Sequence, residues 1–148
     1  MTLSPGDEAP DFELPDQTGT PRKLSTLLAD GPVVLFWYPA AMTTGCTKEA
    51  CHFRDIAAEF EAVGAQRVGI SADAPEKQAQ FDEKNDLGYP LLSDADRTVA
   101  KAYGVKRLLP FNKRATFVIG TDGKLIDVIA SETNMDVHAD KALQALSA

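Results

Sequence analysis

The sequence predicts an α/β fold in which a mixed central β-sheet is flanked by helices. Apolar runs rich in β-formers, at 32–38 and 66–71, alternate with segments of helical periodicity. This alternation is typical of parallel strands joined by helices. Two later apolar runs around Thr121-Asp122-Gly123 predict a hairpin, which adds antiparallel strands. A length of 148 residues fits one domain, 1–148, with a full core.

The first elements are a hairpin and a buried strand. "FELPDQTGTPRKL" at 12–24 predicts a short hairpin that turns at Gly19-Thr20-Pro21. "PVVLFWY" at 32–38 is a continuous apolar run, which is typical of a central strand buried on both faces. Pro39 ends this strand because proline has no N–H to donate to a ladder.

A long helix is predicted at 44–63. Its apolar residues follow helical spacing, and Gly64 ends it. They are Ala50, Phe53, Ile56, Ala57, Phe60 and Val63. "QRVGIS" at 66–71 then predicts a second strand.

The rest of the chain continues the alternation and ends in a hairpin and a helix. Pro75 lies in the first turn of a helix predicted at 74–85, a position that suits proline. The remaining elements are a short strand at 89–94, a helix at 95–105 that ends at Gly104, hairpin strands within 115–130 and a closing helix at 134–146.

Composition excludes some classes of partner. The net charge of −7 and the pI of about 4.7 argue against nucleic acid, which needs a basic face, and against an anionic membrane surface. The first residues have neither the basic segment nor the apolar segment of a secretory signal. The longest mainly apolar stretch, "VVLFWYPAAM", is too short to span a bilayer. We therefore expect a cytoplasmic protein.

Both cysteines lie in "TTGCTKEACHF", residues 43–53. Cys46 falls where the loop becomes helix, so unpaired N–H groups and the helix dipole favour its thiolate. Making the thiolate the majority form at neutral pH takes roughly 2.7 kcal/mol. A helix end supplies about 0.3–1 kcal/mol when exposed and up to about 2 when partly buried. A nearby cation is therefore expected. The alternative is that Cys46 is a small buried hydrophobe.

The five-residue spacing to Cys51 limits what the pair can be. On a regular helix the two Cα atoms lie roughly 8.6 Å apart, whereas a disulfide needs about 4.4–6.8 Å. A bond therefore requires local unwinding, which suits a transient catalytic disulfide better than a permanent one. A zinc site of Cys46, Cys51 and His52 is disfavoured because zinc prefers four ligands and the only other histidine is the distant His138.

The segment "FWYPAAMTTGCTKEACHFRD" resembles the active-site segment of the peroxiredoxins, in particular the peroxiredoxin Q or bacterioferritin comigratory protein group. The family's proline, threonine and cysteine match Pro39, Thr43 and Cys46, and the second cysteine, Cys51, is particular to that group. "KRATFVIGTDGKL" looks like the strand that carries an arginine, here Arg114.

The resemblance runs from about residue 4, through the opening "GDEAPDFELPDQTG", to the final helix. One position departs from it. The group usually has proline directly after the threonine, and this chain has Thr44, which leaves the loop less rigid.

The resemblance implies a thioredoxin-like fold with an N-terminal extension and reduction of hydrogen peroxide and organic hydroperoxides. By similarity, Cys46 attacks the peroxide and becomes a sulfenic acid. The Cys46 N–H, the Thr43 hydroxyl and the Arg114 guanidinium would stabilise the charge that develops. Pro39 would cover the pocket and Glu49 would orient its neighbours. No metal, flavin or haem is implied.

Cys51 is then expected to act as the resolving cysteine. It would form a disulfide with Cys46 after the helix unwinds, and thioredoxin or a similar dithiol would reduce it. We expect a monomer more than an oligomer.

Alternatives remain open for the site and the function. Lys113 or Arg107 could take the place of Arg114, and Thr43 or Thr44 could merely cap the helix. One rival function is a thiol-disulfide oxidoreductase, although its usual Cys-x-x-Cys has Thr43 at the first position. The other is a redox-switched binding or holdase protein, which would not need Arg114.

Overall fold

The computed structural model describes residues 3–107 and 111–147. In this part of the chain the strands and helices alternate after an N-terminal hairpin. In chain order they are β1 (Glu13–Pro15), β2 (Pro21–Lys23), α1 (Leu24–Leu28), β3 (Val33–Trp37), α2 (Thr44–Asp55), α3 (Ala57–Ala62), β4 (Gln66–Ser71), α4 (Pro75–Asn85), β5 (Leu91–Ser93), α5 (Thr98–Ala102), β6 (Ala115–Ile119), β7 (Leu125–Ala130) and α6 (Asp136–Ser147).

The central sheet has five strands in the order β5-β4-β3-β6-β7. Strands β3, β4 and β5 are parallel, and β6 and β7 are antiparallel to their neighbours. Every residue of β3 is fully buried, as expected for a central strand covered on both faces. The predicted mixed sheet with flanking helices and an N-terminal hairpin is confirmed.

Alternating side chains of β3 separate two cores. Val33, Leu35 and Trp37 face a cluster that includes residues of α1 and α5. Val34 and Phe36 face a second cluster, built with α2, α3, α4 and α6. Both cysteine-bearing turns of α2 therefore pack on one defined face of the sheet.

The N-terminal hairpin protects the β5 edge of the sheet. In the turn between β1 and β2, the Gln17 side chain donates to Tyr89 O at 2.9 Å and accepts from Leu91 N–H at 2.8 Å. One amide side chain thus satisfies backbone groups at the edge of the sheet as a further strand would, which protects this edge from pairing with another chain. Among the described residues, the helices are all too short or too polar to cross a bilayer.

The prediction of one continuous helix at 44–63 is wrong. The helix breaks at Ile56, where φ is −105° and ψ is 31°, so that α2 and α3 are separate. The Arg67 guanidinium donates to Phe53 O at 3.0 Å, and in an unbroken helix the N–H of Ala57 would bond this carbonyl. Helix α1 was not predicted because five residues are too few to show helical periodicity.

Candidate active site

Cys46 lies in the first turn of α2, the helix that follows β3 after a short loop. Thr43 is the N-cap in an extended conformation, and its carbonyl accepts the first helical bond, from Thr47 N–H at 2.9 Å. The N–H groups before Thr47, including that of Cys46, have no carbonyl one turn earlier to accept them. The Cys46 side chain is buried, so its sulfur lies near the positive end of the helix dipole in a largely water-excluded position.

The register of the sheet brings Arg114 to the same place. In the antiparallel pairing of β3 with β6, Trp37 lies opposite Ala115, so the residue before β6 reaches the end of β3. Arg114 Nη2 donates to Cys46 Sγ at 3.3 Å, and Nη1 donates to Glu49 Oε1 at 2.7 Å. The side chain is buried. The cation that the sequence required beside Cys46 is therefore present, and it is Arg114.

Glu49 and Cys46 share this one guanidinium. Burial raises the pKa of Glu49 to about 8, although Arg114 acts in the opposite direction. Burial by itself lowers the pKa of Arg114, but the charges of Glu49 and Cys46 raise it, so the guanidinium stays charged. Because the Glu49 carboxyl is mostly protonated at neutral pH, it competes only weakly for Arg114. The positive charge of Arg114 therefore acts mainly on the Cys46 sulfur.

Glu132 holds the backbone of Arg114, and the sequence reasoning missed it. Its Oε2 accepts the Arg114 N–H at 2.9 Å and lies 3.1 Å from Arg107 Nη2. Arg107 therefore pairs with Glu132, and Lys113 is exposed. The predicted hairpin could have indicated this contact, because pairing of Ala115 with Ala130 brings the residues around 114 and 132 together.

His138 is a second residue that the sequence reasoning did not place in this site. It is fully buried on α6, and its Nε2–H donates to Ser131 O at 2.8 Å. Its Nδ1 accepts from the Thr116 hydroxyl at 2.8 Å and lies 3.7 Å from Glu49 Oε2. Burial, followed by the Arg114 charge, lowers the pKa of His138. A neutral imidazole thus closes the inner side of the site.

Thr43 and Pro39 both lie in the loop between β3 and α2, which ends just before Cys46. The Thr43 hydroxyl is exposed and donates to Ala40 O at 2.8 Å. No hydrogen bond between this hydroxyl and Cys46 is present in the described part of the chain, and the hydroxyl does not cap α2 either. Pro39 is half-buried directly after β3. Between them Met42 has φ of 70°, a strained value for a residue with a side chain.

Cys51 lies on the same helix, away from Cys46. Both cysteines are free, and Cys51 is half-buried with its sulfur 3.8 Å from Asn85 Oδ1 at the end of α4. The neighbouring His52 binds Asp140 on α6, with Nε2 and Oδ1 2.8 Å apart. Within residues 3–107 and 111–147 we find no group of three or more His, Cys, Asp or Glu side chains arranged to hold a metal ion.

Comparisons of the sequence and of the structure with known proteins agree on one family. Residues 5–128 match the model of the AhpC/TSA family. The chain is 39% identical to peroxiredoxin Bcp of Bacillus subtilis over 99% of this chain and 96% of that protein. Its fold superimposes on the crystal structure of peroxidoxin BcpB from Mycobacterium tuberculosis with a TM-score of 0.95, at 64% identity over 98% of this chain and 97% of the other.

A more distant structure has the same architecture. It is a bacterioferritin comigratory protein of Xanthomonas campestris, described for its alkyl peroxide reduction activity. The TM-score is 0.82 at 28% identity, over 92% of this chain and 90% of the other. The five-stranded mixed sheet with helices on both faces is thus the thioredoxin-like arrangement of these peroxiredoxins. The chain belongs to the AhpC/TSA family and is a peroxiredoxin, a thiol peroxidase of the peroxiredoxin Q or bacterioferritin comigratory protein group.

Proposed function

We propose that this chain reduces hydrogen peroxide and organic hydroperoxides with Cys46 as the nucleophile. The observation that carries the proposal is the 3.3 Å contact between Arg114 Nη2 and Cys46 Sγ at the N-terminus of α2. A guanidinium and a helix end together favour a thiolate more than either one alone. The activity described for the Xanthomonas campestris relative supports organic hydroperoxides as substrates.

In the first step the Cys46 thiolate attacks the terminal oxygen of the hydroperoxide. The S–O bond forms as the O–O bond breaks, which oxidises the sulfur to a sulfenic acid and releases an alkoxide or hydroxide that takes a proton from water. Arg114 and the Cys46 N–H would stabilise the negative charge as it moves from sulfur to oxygen. In this scheme the Thr43 hydroxyl turns from Ala40 O towards the peroxide, Pro39 limits access of water, and Glu49 orients Arg114.

In the second step the Cys51 thiol attacks the sulfenic acid. The S–S bond forms, the S–O bond breaks, and the oxygen leaves as water. Both cysteines lie within α2, so this step requires the helix to unwind locally. Thioredoxin or a similar dithiol then reduces the disulfide. We place this cycle in a monomer in the cytoplasm, where such a reductant is available.

The test is stopped-flow fluorescence of Trp37, the single tryptophan of the chain, whose strand position is paired with the residue after Arg114. The reduced protein is mixed with peroxide, and wild type is compared with Cys46→Ser and Cys51→Ser. We expect Cys46→Ser to lose all reaction with peroxide. Cys51→Ser should keep the peroxide-dependent phase but lose the later phase and turnover with a dithiol.

Three results would contradict the proposal. A Cys46→Ser protein that still consumes peroxide would remove Cys46 as the nucleophile. Catalytic reduction of a disulfide substrate in the absence of peroxide, with no peroxide turnover, would instead indicate a thiol-disulfide oxidoreductase. Disulfide formation without catalytic turnover, unaffected by Arg114→Ala, would favour a redox-switched binding protein.

A further inference from the structure

Two carbonyl groups of α2 on either side of Cys51 accept hydrogen bonds from outside the helix. The Tyr89 hydroxyl donates to Ala50 O at 2.8 Å, directly before Cys51. The Arg67 Nη1 donates to Phe53 O at 3.0 Å, two residues after Cys51. Arg67 is on β4, and Tyr89 is in the segment before β5, so both donors are anchored in the body of the fold.

The two donors also contact each other. The Arg67 guanidinium carbon lies 5.0 Å from the centre of the Tyr89 ring, within cation–π range. Tyr89 is buried, and its ring packs edge-on against Phe36, which in turn stacks on Phe53 with ring centres 4.1 Å apart. Burial raises the pKa of Tyr89 well above its usual value, so its hydroxyl is a donor at any physiological pH. We call Tyr89 and Arg67 together the α2 clamp.

These bonds exist only while this part of α2 is helical. Unwinding around Cys51 moves the carbonyls of Ala50 and Phe53 away from the two donors. The clamp therefore stabilises the helical form relative to the form in which Cys51 can reach Cys46. Neither clamp residue hydrogen-bonds Cys46 or Arg114 in the described residues, so the first step of the reaction does not depend on it.

We propose that Tyr89 and Arg67 are positioning residues that set the rate of disulfide formation between Cys51 and oxidised Cys46. The inference rests on the proposed function. Its step is the balanced one given above, in which the Cys51 thiol displaces the sulfenic oxygen as water. The slower this step, the longer the sulfenic acid is open to a second peroxide, which oxidises it to the sulfinic acid. The clamp therefore also governs how easily high peroxide inactivates the protein.

The sharpest variant is Tyr89→Phe, which removes one oxygen and keeps the ring. Ala50 O retains its helical N–H partner, so no buried acceptor is left unpaired. Losing one such hydrogen bond should accelerate disulfide formation roughly three- to tenfold. The matched control is Tyr103→Phe, because the Tyr103 hydroxyl donates to the backbone carbonyl of Pro10 at 2.7 Å, in the core on the other face of the sheet.

The experiment separates two phases in stopped-flow fluorescence. The peroxide-dependent phase reports oxidation of Cys46, and the peroxide-independent phase reports disulfide formation. We expect Tyr89→Phe to leave the first rate constant unchanged and to raise the second, while Tyr103→Phe changes neither. Mass spectrometry at high peroxide should find less sulfinic acid in Tyr89→Phe than in wild type.

Arg67→Met provides a second variant, since it keeps an unbranched apolar side chain and removes the donor. Amide hydrogen exchange, measured without peroxide, checks the effect of both variants on the stability of α2. In the reduced proteins, amide hydrogens at 50–55 should exchange faster in Tyr89→Phe and Arg67→Met than in wild type or Tyr103→Phe. Unchanged exchange together with an unchanged second phase would overturn the clamp, as would slower disulfide formation. Absence of any peroxide-dependent phase in wild type would instead overturn the proposed function.

Discussion

Arg114 Nη2 lies 3.3 Å from Cys46 Sγ, although 68 positions separate the two residues in the chain. The contact depends on the sheet, because β6 pairs with β3 and Cys46 follows β3. The same guanidinium holds Glu49 at 2.7 Å. One buried guanidinium thus hydrogen-bonds two side chains that can both be anionic. How strongly it stabilises the Cys46 thiolate therefore depends on whether Glu49 is ionised.

Replacing Arg114 by lysine keeps a positive charge but removes the planar fork that contacts Cys46 and Glu49 at once. We expect the second-order rate constant for Cys46 oxidation to fall about 10²-fold, the effect of losing one preorganised donor. Stopped-flow fluorescence measures this rate constant. The control is Lys113→Ala, since Lys113 is the adjacent exposed cation. A wild-type rate in Arg114→Lys would show that only the positive charge matters. An equal loss in Lys113→Ala would show that the effect is not specific to the fork of Arg114.

Thr43 provides a test of the outer side of the site. Its hydroxyl donates to Ala40 O, and the proposed reaction needs it to turn towards the peroxide. Thr43→Val keeps the shape and removes the hydroxyl, so Cys46 oxidation should slow by about 10²-fold, whereas Thr43→Ser should stay close to wild type. Thr44→Val is the control one residue later. A wild-type rate in Thr43→Val would assign this threonine to the loop structure only.

Glu49 should make stability depend on pH. Its pKa is about 8 in the folded protein against a reference value of 4.5, so the folded state binds more protons between these values. The contribution of Glu49 to the stability of the folded protein is therefore fully present below about pH 4.5, and it is lost as the pH rises through about 8. The free energy of unfolding should fall with pH in this window, by at most about 1.4 kcal/mol per pH unit from this group.

Urea unfolding between about pH 5 and about pH 9 measures this slope. All proteins would carry Cys46→Ser to remove thiol oxidation. Glu49→Gln should flatten the decline, whereas Glu59→Gln, an exposed carboxylate on α3, should leave it unchanged. Identical slopes in the Glu49→Gln and parent proteins would show that Glu49 is ionised in the folded protein throughout this range.

Gly69 of β4 lets the aromatic layer under α2 pack closely. A Cβ at this position would lie 2.9 Å from Leu91 Cδ2 and 3.0 Å from both Phe36 and Tyr38. Gly69→Ala should therefore lower the free energy of unfolding by about 1–3 kcal/mol through overpacking. At Gly45 the nearest atoms are 3.4 Å away, so Gly45→Ala should have a small effect. Urea unfolding of both variants gives the comparison, and equal destabilisation would contradict this explanation.

Much of the fold could be predicted because its signals are local. The apolar run ending at Tyr38, the turn at 121–123 and the glycines after helices each specify their own element. The break at Ile56 could not be predicted, because the carbonyl left without a helical partner there, Phe53 O, is bound by Arg67 from a neighbouring strand. Helical periodicity continues through the break and carries no information about that distant donor.

The sequence by itself determined the order of strands and helices, the position of Cys46 at a helix N-terminus, and the need for a cation beside it. Local spacing and the arithmetic of a single helix end suffice for these conclusions. Only the tertiary structure decided how Glu132 and His138 enclose the site and how Tyr89 holds the second half of α2. These contacts join residues far apart in the chain, and their energies depend on burial, which local sequence does not specify.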